Sequence, residues 1–358
     1  MRVLALMKYG ARAASTRQRL VQFEPYLCEH GVTFELSPLL DDDYVARLAE
    51  GRSPAAGKIP AAYARRLATL LRSRSYDAIW VHSELFPYLP GLFERLAGFA
   101  GRPVIYDCDD AVFHMYDAHR NPLVRWLLGT KLAPLMRRAS VCLCGNAYLE
   151  SYAAQFCRNS LIVPTVVDTD AYVPRAKKGS APPVVGWIGS PSTWRYVEPL
   201  LPAILPRIAA AGGRFRAVGP GPRARGIPGV EAVDWSEDSE IGEVQSFDIG
   251  VMPMPDDKWA RGKCGYKLIQ YMACGLPVIA SPVGVNTKIV EDGRNGFLAS
   301  TEAEWQQALD RLLDDAELRT QFGRTGRERV VERYSLVSQQ PRVLAALEAA
   351  TGATVSGV

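Results

Sequence analysis

Long apolar runs are missing from this 358-residue chain; none approaches the length of a membrane span. The seven cysteines, Cys28, Cys108, Cys142, Cys144, Cys157, Cys264 and Cys274, form no CxxC pair and no Cys/His cluster at zinc spacing. Several lie inside apolar runs, where a reduced thiol behaves as a small hydrophobe, so a reducing cytoplasm is the expected location. Residues 1–7 are too short for a signal peptide and lead straight into a strand-like segment. Residues 7–14 contain no GxGxxG after that segment, which leaves a dinucleotide dehydrogenase poorly supported. Strong charge of one sign is absent as well. The net charge is +4, and the first 168 residues carry 20 Lys and Arg against 16 Asp and Glu, while the remainder carries 22 of each. That bias is too small for a nucleic-acid platform, but it suits a surface near anionic lipid or a phosphorylated acceptor.

What is present is an ordinary globular composition, 48% apolar and 22% charged, in a chain long enough for two cores. Short β-branched runs at residues 3–6, 33–36, 78–81, 104–106, 141–144 and 161–163 alternate with amphipathic stretches such as 18–30 and 61–74. Strand–helix alternation of this kind predicts a parallel sheet covered by helices on both faces. The rhythm breaks at a Pro/Gly-rich polar segment, then restarts at 184–188, 215–218, 230–233, 249–252 and 278–280. The expected organisation is an α/β fold of two doubly wound Rossmann-like domains. The first, residues 1–173, lies on the acceptor side. A linker (174–183) leads to a nucleotide-sugar-binding domain (184–335). A C-terminal helix and tail (336–358) follow, with packing back on the first domain as one arrangement. Helices are expected at 302–313 and 324–350. Two such sheets bind ligands at their carboxyl ends, here expected to face one interdomain cleft.

The most informative stretch is Gly262-Lys263-Cys264-Gly265-Tyr266-Lys267-Leu268-Ile269-Gln270-Tyr271-Met272-Ala273-Cys274-Gly275-Leu276-Pro277-Val278-Ile279-Ala280. It reads as a glycine-bearing loop opening a short helix, which ends at Gly275-Leu276-Pro277 before a buried strand. Gly265 removes bulk where a phosphate meets the first turn, Lys263 and Lys267 flank that turn, and Gln270 lies one turn beyond Tyr266. An ordinary loop–helix–strand with solvated lysines has the same spacing, and periodicity does not separate the two.

Continued by Ser281-Pro282-Val283-Gly284-Val285-Asn286 and by Asp292-Gly293-Arg294-Asn295-Gly296-Phe297-Leu298, this stretch resembles the donor-site signature of family-4 retaining glycosyltransferases of the GT-B fold. That resemblance implies transfer of a sugar from a nucleoside-diphosphate sugar to a hydroxyl acceptor, with retention. The acceptor is a glycan, a small molecule or a lipid-linked species, the last with peripheral membrane contact; neither nucleic acid nor metal or other cofactor is expected. The family carries two glutamates eight positions apart, the first on the donor sugar and the second on the ribose hydroxyls. Gly262 and Gln270 stand at those positions. A neutral amide can still bond a diol, whereas the first role is vacant or passes to Arg261, Lys263 or Asp257. Where relatives place a glycine turn with a later Arg and Lys, this chain has Gly189-Ser190-Pro191-Ser192-Thr193, so Gly189 and the hydroxyls of Ser190 and Thr193 complete the donor set. Trp235, after a strand, sits where relatives recognise the base, and reads equally as a core aromatic.

In the first half, Tyr106-Asp107-Cys108-Asp109-Asp110 ends a strand, and the matching position of the family's histidine is Asp109, with Asp110 after it. Asp109, Asp110 and Lys263 are the expected catalytic groups. A solvated turn with Asp110 capping a helix, or a metal-binding acidic cluster, are the other readings. Ser15, Arg17, Arg19, Glu84 and Asp107 are the acceptor-side candidates, with Ser15 or Thr16 as an N-cap. Residues 123–138 mix Trp126 and leucines with arginines, and read as a helix on a core or on a membrane surface. The alternatives to a transferase are an epimerase or phosphorylase of the same fold, or a non-catalytic nucleotide- or sugar-binding partner.

Overall fold

The structure, a computed structural model, describes residues 1–49, 58–175 and 182–352. Two compact units are present. The first comprises Met1–Thr165 with Gly262–Cys264 and the chain from Gln339 onward; the second comprises Val166–Arg261 and Gly265–Ser338. Residues 176–181 of the expected linker and 353–358 of the expected tail lie outside the described residues.

The first unit holds β1 (Arg2–Tyr9), β2 (Thr33–Leu40), β3 (Ala78–His82), β4 (Val104–Cys108), β5 (Val141–Cys144) and β6 (Ser160–Ile162), in the order β2-β1-β3-β4-β5-β6. The second holds β7 (Val184–Ile188), β8 (Arg214–Val218), β9 (Val230–Val233), β10 (Ile249–Met252), β11 (Val278–Ala280) and β12 (Gly296–Leu298), in the order β12-β11-β10-β7-β8-β9. All the ladders are parallel. Strands β3, β4, β5 and β7 are buried along their whole length, because helices cover both faces of a doubly wound sheet, and their sequences are accordingly near-continuous apolar runs. Chain order reverses between β1 and β3 in one sheet and between β7 and β10 in the other, and doubly wound sheets in general bind ligands at the carboxyl ends of strands beside such a reversal.

Eleven of the twelve strands among the described residues coincide with the sequence-predicted runs. The twelfth, β12, begins at Gly296 and has no β-branched run to read. It is set by side chains instead: Asp292 accepts from the Leu298 amide at 2.8 Å, and buried Asn295 accepts from the Glu291 amide at 2.8 Å. Helix bounds depart further. Residues 18–30 are interrupted between Ala14–Arg19 and Glu24–Glu29, and Pro25 sits in the first turn of the latter, where its missing N–H costs nothing. Residues 123–138 form two helices, Pro122–Leu128 and Ala133–Arg138, and Pro134 opens the second. Their apolar residues divide: Leu128, Leu132, Leu135 and Met136 are buried, whereas Leu123, Leu127 and Trp126 (81% exposed) face outward. The segment is therefore core-facing only in part. No helix among the described residues is long and apolar enough to cross a membrane.

Candidate functional site

At the carboxyl end of β4 the three aspartates each meet a different basic side chain. Asp107 is fully buried and pairs with Arg19, Nε to Oδ1 at 2.8 Å and Nη2 to Oδ2 at 3.2 Å; Arg19 Nη1 also donates to the Val163 carbonyl. The two neutralise each other inside the first unit, so neither is a surface group for an acceptor. Asp109 takes His82, from the end of β3, at 3.2 Å. Burial pushes the Asp109 carboxyl up, but the hydrogen bond and charge of His82, with Arg19 and Lys263, outweigh it and bring it down to about 2. Burial lowers His82; Asp109 and then Asp107 outweigh that and hold its imidazole above the ordinary histidine value. The other ring nitrogen, Nδ1, has no hydrogen-bond partner among the described residues.

Asp110 accepts from Lys263 Nζ at 3.0 and 2.9 Å. Burial works against the Lys263 ammonium, and Asp110 more than restores it. The next helix, His114–Asp117, has Phe113 at its N-cap, so Asp110 is an ion-pair partner and not a cap. With the carboxylates divided among Arg19, His82 and Lys263, no group of three His, Cys, Asp or Glu disposed to hold a metal exists among the described residues.

Gly262 lies against the same turn. A Cβ there would stand 2.4 Å from the Ala111 Cβ and 2.9 Å from its amide nitrogen. Asn146, which caps the helix Ala147–Ala153, donates to the carbonyls of Gly262 and Lys263 at 2.9 and 3.0 Å, and Cys264 Sγ bonds the Asp109 carbonyl at 2.8 Å. The absence of a glutamate at 262 is thus a packing requirement. Gly262→Glu is expected to destabilise the protein by about 1–3 kcal/mol through overpacking. Denaturant unfolding measures this, and unchanged stability would refute the packing reason.

Glu84 is fully buried. Its carboxylate meets Lys8 at 3.0 Å, Lys131 at 3.4 Å and the Tyr116 hydroxyl at 2.5 Å. It holds the loop after β3 from within and does not present itself to an acceptor. Ser83 and Tyr88 in that loop have φ of 69° and 60°, a conformation costly for side-chain-bearing residues. Glu94 adds the other support, accepting from the Leu85 and Phe86 amides at 3.0 and 3.1 Å and from Lys131 at 2.5 Å. Near the end of β1, the helix Ala14–Arg19 starts before Ser15 with Ala13 at its N-cap, so Ser15 is not a cap. Thr16 bonds the Tyr9 carbonyl, and Arg17 the Arg12 carbonyl.

In the second unit Gly265, at φ 67°, is the N-cap of the helix Tyr266–Ala273; a Cβ at 265 would meet Ile289 Cδ1 at 2.4 Å. Lys267 Nζ lies 5.7 Å from the centre of the Trp187 ring, and a Cβ on Gly189 would strike both side chains, at 2.8 and 2.5 Å. Gly189 thereby lets a lysine cross the end of β7. Ser190 and Thr193 bond within the first turn of the helix Pro191–Trp194. Arg261 pairs with Asp256 at 2.6 and 2.9 Å. Trp235 is 39% exposed, hence not a core aromatic, and its indole donates to Glu240 at 2.6 Å. Gln270 is buried, and its amide donates to Tyr172 Oη at 2.9 Å and Glu240 Oε1 at 2.8 Å. A cavity of about 860 Å³ lies elsewhere, lined by Asp248 and Pro277 at the amino ends of β10 and β11 and by Arg319 and Gly323.

Asn146, Tyr172, Glu240 and His82 are brought into these contacts by the fold and lie outside the residues that the sequence patterns point to. An Asn after β5 and a His closing β3 were legible as strand-end residues; Tyr172 and Glu240 had no motif.

The class that this architecture defines is the GT-B fold, two doubly wound α/β units in one chain. It is shared, at a TM-score of 0.70 and 15% identity, with Anabaena HepE solved in complex with UDP-glucose, over 97% of this chain and 99% of that one. Sucrose-phosphate synthase from Thermosynechococcus elongatus gives a TM-score of 0.69 at 16% identity, over 99% and 100% of the two chains. By sequence, residues 182–315 match the family of glycosyl transferases group 1. Over 82 residues the chain is 34% identical to the D-inositol 3-phosphate glycosyltransferase of Paenarthrobacter aurescens (strain TC1), which covers 22% of this chain and 19% of that protein. The chain thus spans about a fifth of the length of that curated relative.

Proposed function

We propose that this protein is a glycosyltransferase that moves a sugar from a nucleoside-diphosphate sugar to a hydroxyl acceptor, with retention at the anomeric carbon. The observation that carries the reading is the match of residues 182–315 to glycosyl transferases group 1, because those residues include the Gly265-capped helix and the lysine beside it. The positive end of the helix Tyr266–Ala273 and the Lys267 ammonium attract a diphosphate and stabilise it as it leaves. Gly189, Ser190 and Thr193 line the turn after β7, and Trp235 offers a flat face for the base. The transfer step is assigned to Asp109, steadied by His82, and to the Lys263–Asp110 pair. In retaining transfer the departing phosphate can accept the acceptor's proton, so a separate base is not required. The acceptor class, including a lipid-linked one reached at a membrane surface, belongs to the proposal.

A panel of nucleotide sugars tests it, read as sugar transfer and donor hydrolysis in wild type and in Lys267→Ala. Loss of one charge-assisted contact is expected to weaken diphosphate-sugar binding by about 1.5–3 kcal/mol while free nucleoside binds as before. Equal weakening of both ligands, or of neither, would remove Lys267 from the donor site. Binding without turnover by wild type would establish the non-catalytic alternative.

A further inference from the structure

The position that the family resemblance assigns to the ribose hydroxyls is held here by an amide that is already engaged. Gln270 Nε2 donates to Glu240 Oε1 at 2.8 Å, and the Tyr172 hydroxyl donates to the same oxygen at 2.5 Å. The second oxygen, Oε2, accepts from the Trp235 indole at 2.6 Å. Glu240 opens the helix Glu240–Gln245 and is half-buried, beside a tryptophan that is 39% exposed at the carboxyl end of β9. All three donors are neutral, so they orient the carboxylate without cancelling its charge. A carboxylate oxygen has room for two donors; Oε1 is filled, and Oε2 has taken one.

We propose that Glu240 is the carboxylate that receives the ribose diol of the donor nucleotide, and that Gln270 is its positioning residue. Glu240, at the start of a neighbouring helix, supplies the acid that position 270 lacks, and a glutamine at 270 suits it. A second carboxylate 2.8 Å from the first could not also ionise without strong repulsion, whereas an amide donates a hydrogen bond to it. Glutamine at 270 and glutamate at 240 are thus complementary in this chain. This inference rests on the donor-binding reading above and adds to it the residue that distinguishes ribose from deoxyribose.

The test is calorimetric binding of UDP, GDP, ADP and CDP to the full-length protein, followed by the 2′-deoxy form of whichever binds most tightly. A site built around the hydroxyl should disfavour the deoxy nucleotide by about tenfold or more. Glu240→Gln should bring that ratio to within about threefold, and Glu240→Asp, which keeps the charge but withdraws it by one methylene, should lower it as well. The exchange variant Glu240→Gln/Gln270→Glu should recover discrimination, which a merely structural role for Gln270 does not predict. An unchanged ratio in folded Glu240→Gln and Glu240→Asp overturns the inference and leaves the donor reading intact. If wild type binds none of the four nucleotides, the donor reading itself fails and the inference with it.

Discussion

Lys131→Ala is expected to destabilise the protein by about 3–5 kcal/mol, the cost of leaving buried charge without its partner. Lys131 has no exposed side-chain surface, and its ammonium lies 2.5 Å from Glu94, 3.4 Å from Glu84 and 2.7 Å from the Phe86 carbonyl. Lys8 remains to neutralise Glu84 in the variant, but Glu94 keeps only two amides. For a unit of this size the loss corresponds to a melting temperature lower by roughly 6–20 °C. Replacing both members, Lys131→Met with Glu94→Gln, should cost less than Lys131→Ala alone, since it removes the orphaned charge together with its partner. Thermal and urea unfolding measure both variants. A single-variant loss under about 1 kcal/mol would mean that water or a rearranged side chain reaches the carboxylates. The loop that these groups hold, residues 83–88, carries the two positive-φ residues after β3, so turnover should fall with stability.

Asp109→Asn is expected to lower kcat by about a hundredfold, the scale of one electrostatic contributor, while donor affinity barely moves. The structure adds a spectroscopic readout, because His82 and Asp109 titrate as partners. Asp109 lies below its ordinary value, so its share of stability is present above about pH 4 and is lost as pH falls towards about 2. His82 lies above its ordinary value, so its share is complete below about pH 6.5 and is lost as pH rises through its shifted value. Removing the carboxylate charge should therefore shift the His82 imidazole resonance to titrate at lower pH. Asp110→Asn, which breaks the half-exposed pair with Lys263 and leaves the His82–Asp109 contact intact, should leave that resonance in place. If Asp109→Asn turns over normally and His82 titrates as in wild type, the pair is a structural contact and the transfer step lies elsewhere.

Short apolar runs located eleven strands, and the Pro/Gly-rich break between them the division into two α/β units, because a sheet covered on both faces demands short, nearly continuous apolar strands. Gly265 and Gly275 were legible for a similar local reason: both adopt positive φ at the two ends of one helix. Strand β12 was not, since it is fixed by side chains, Asp292 accepting from the Leu298 amide and Asn295 from the Glu291 amide. Only the tertiary structure decided how the charged groups pair. Arg19 and Asp107 are 88 residues apart and cancel each other, Glu84 is drawn inside by Lys131 and Tyr116, and Lys263 turns to Asp110 across 153 residues of chain. A sequence shows which side chains carry charge and at which strand end they stand, but pairing depends on distances of about 3 Å between segments remote in the chain. The same holds for Gly262 and Gln270. As letters they mark two absent glutamates; in the fold, one is excluded by the backbone at Ala111 and the other is engaged in holding Glu240.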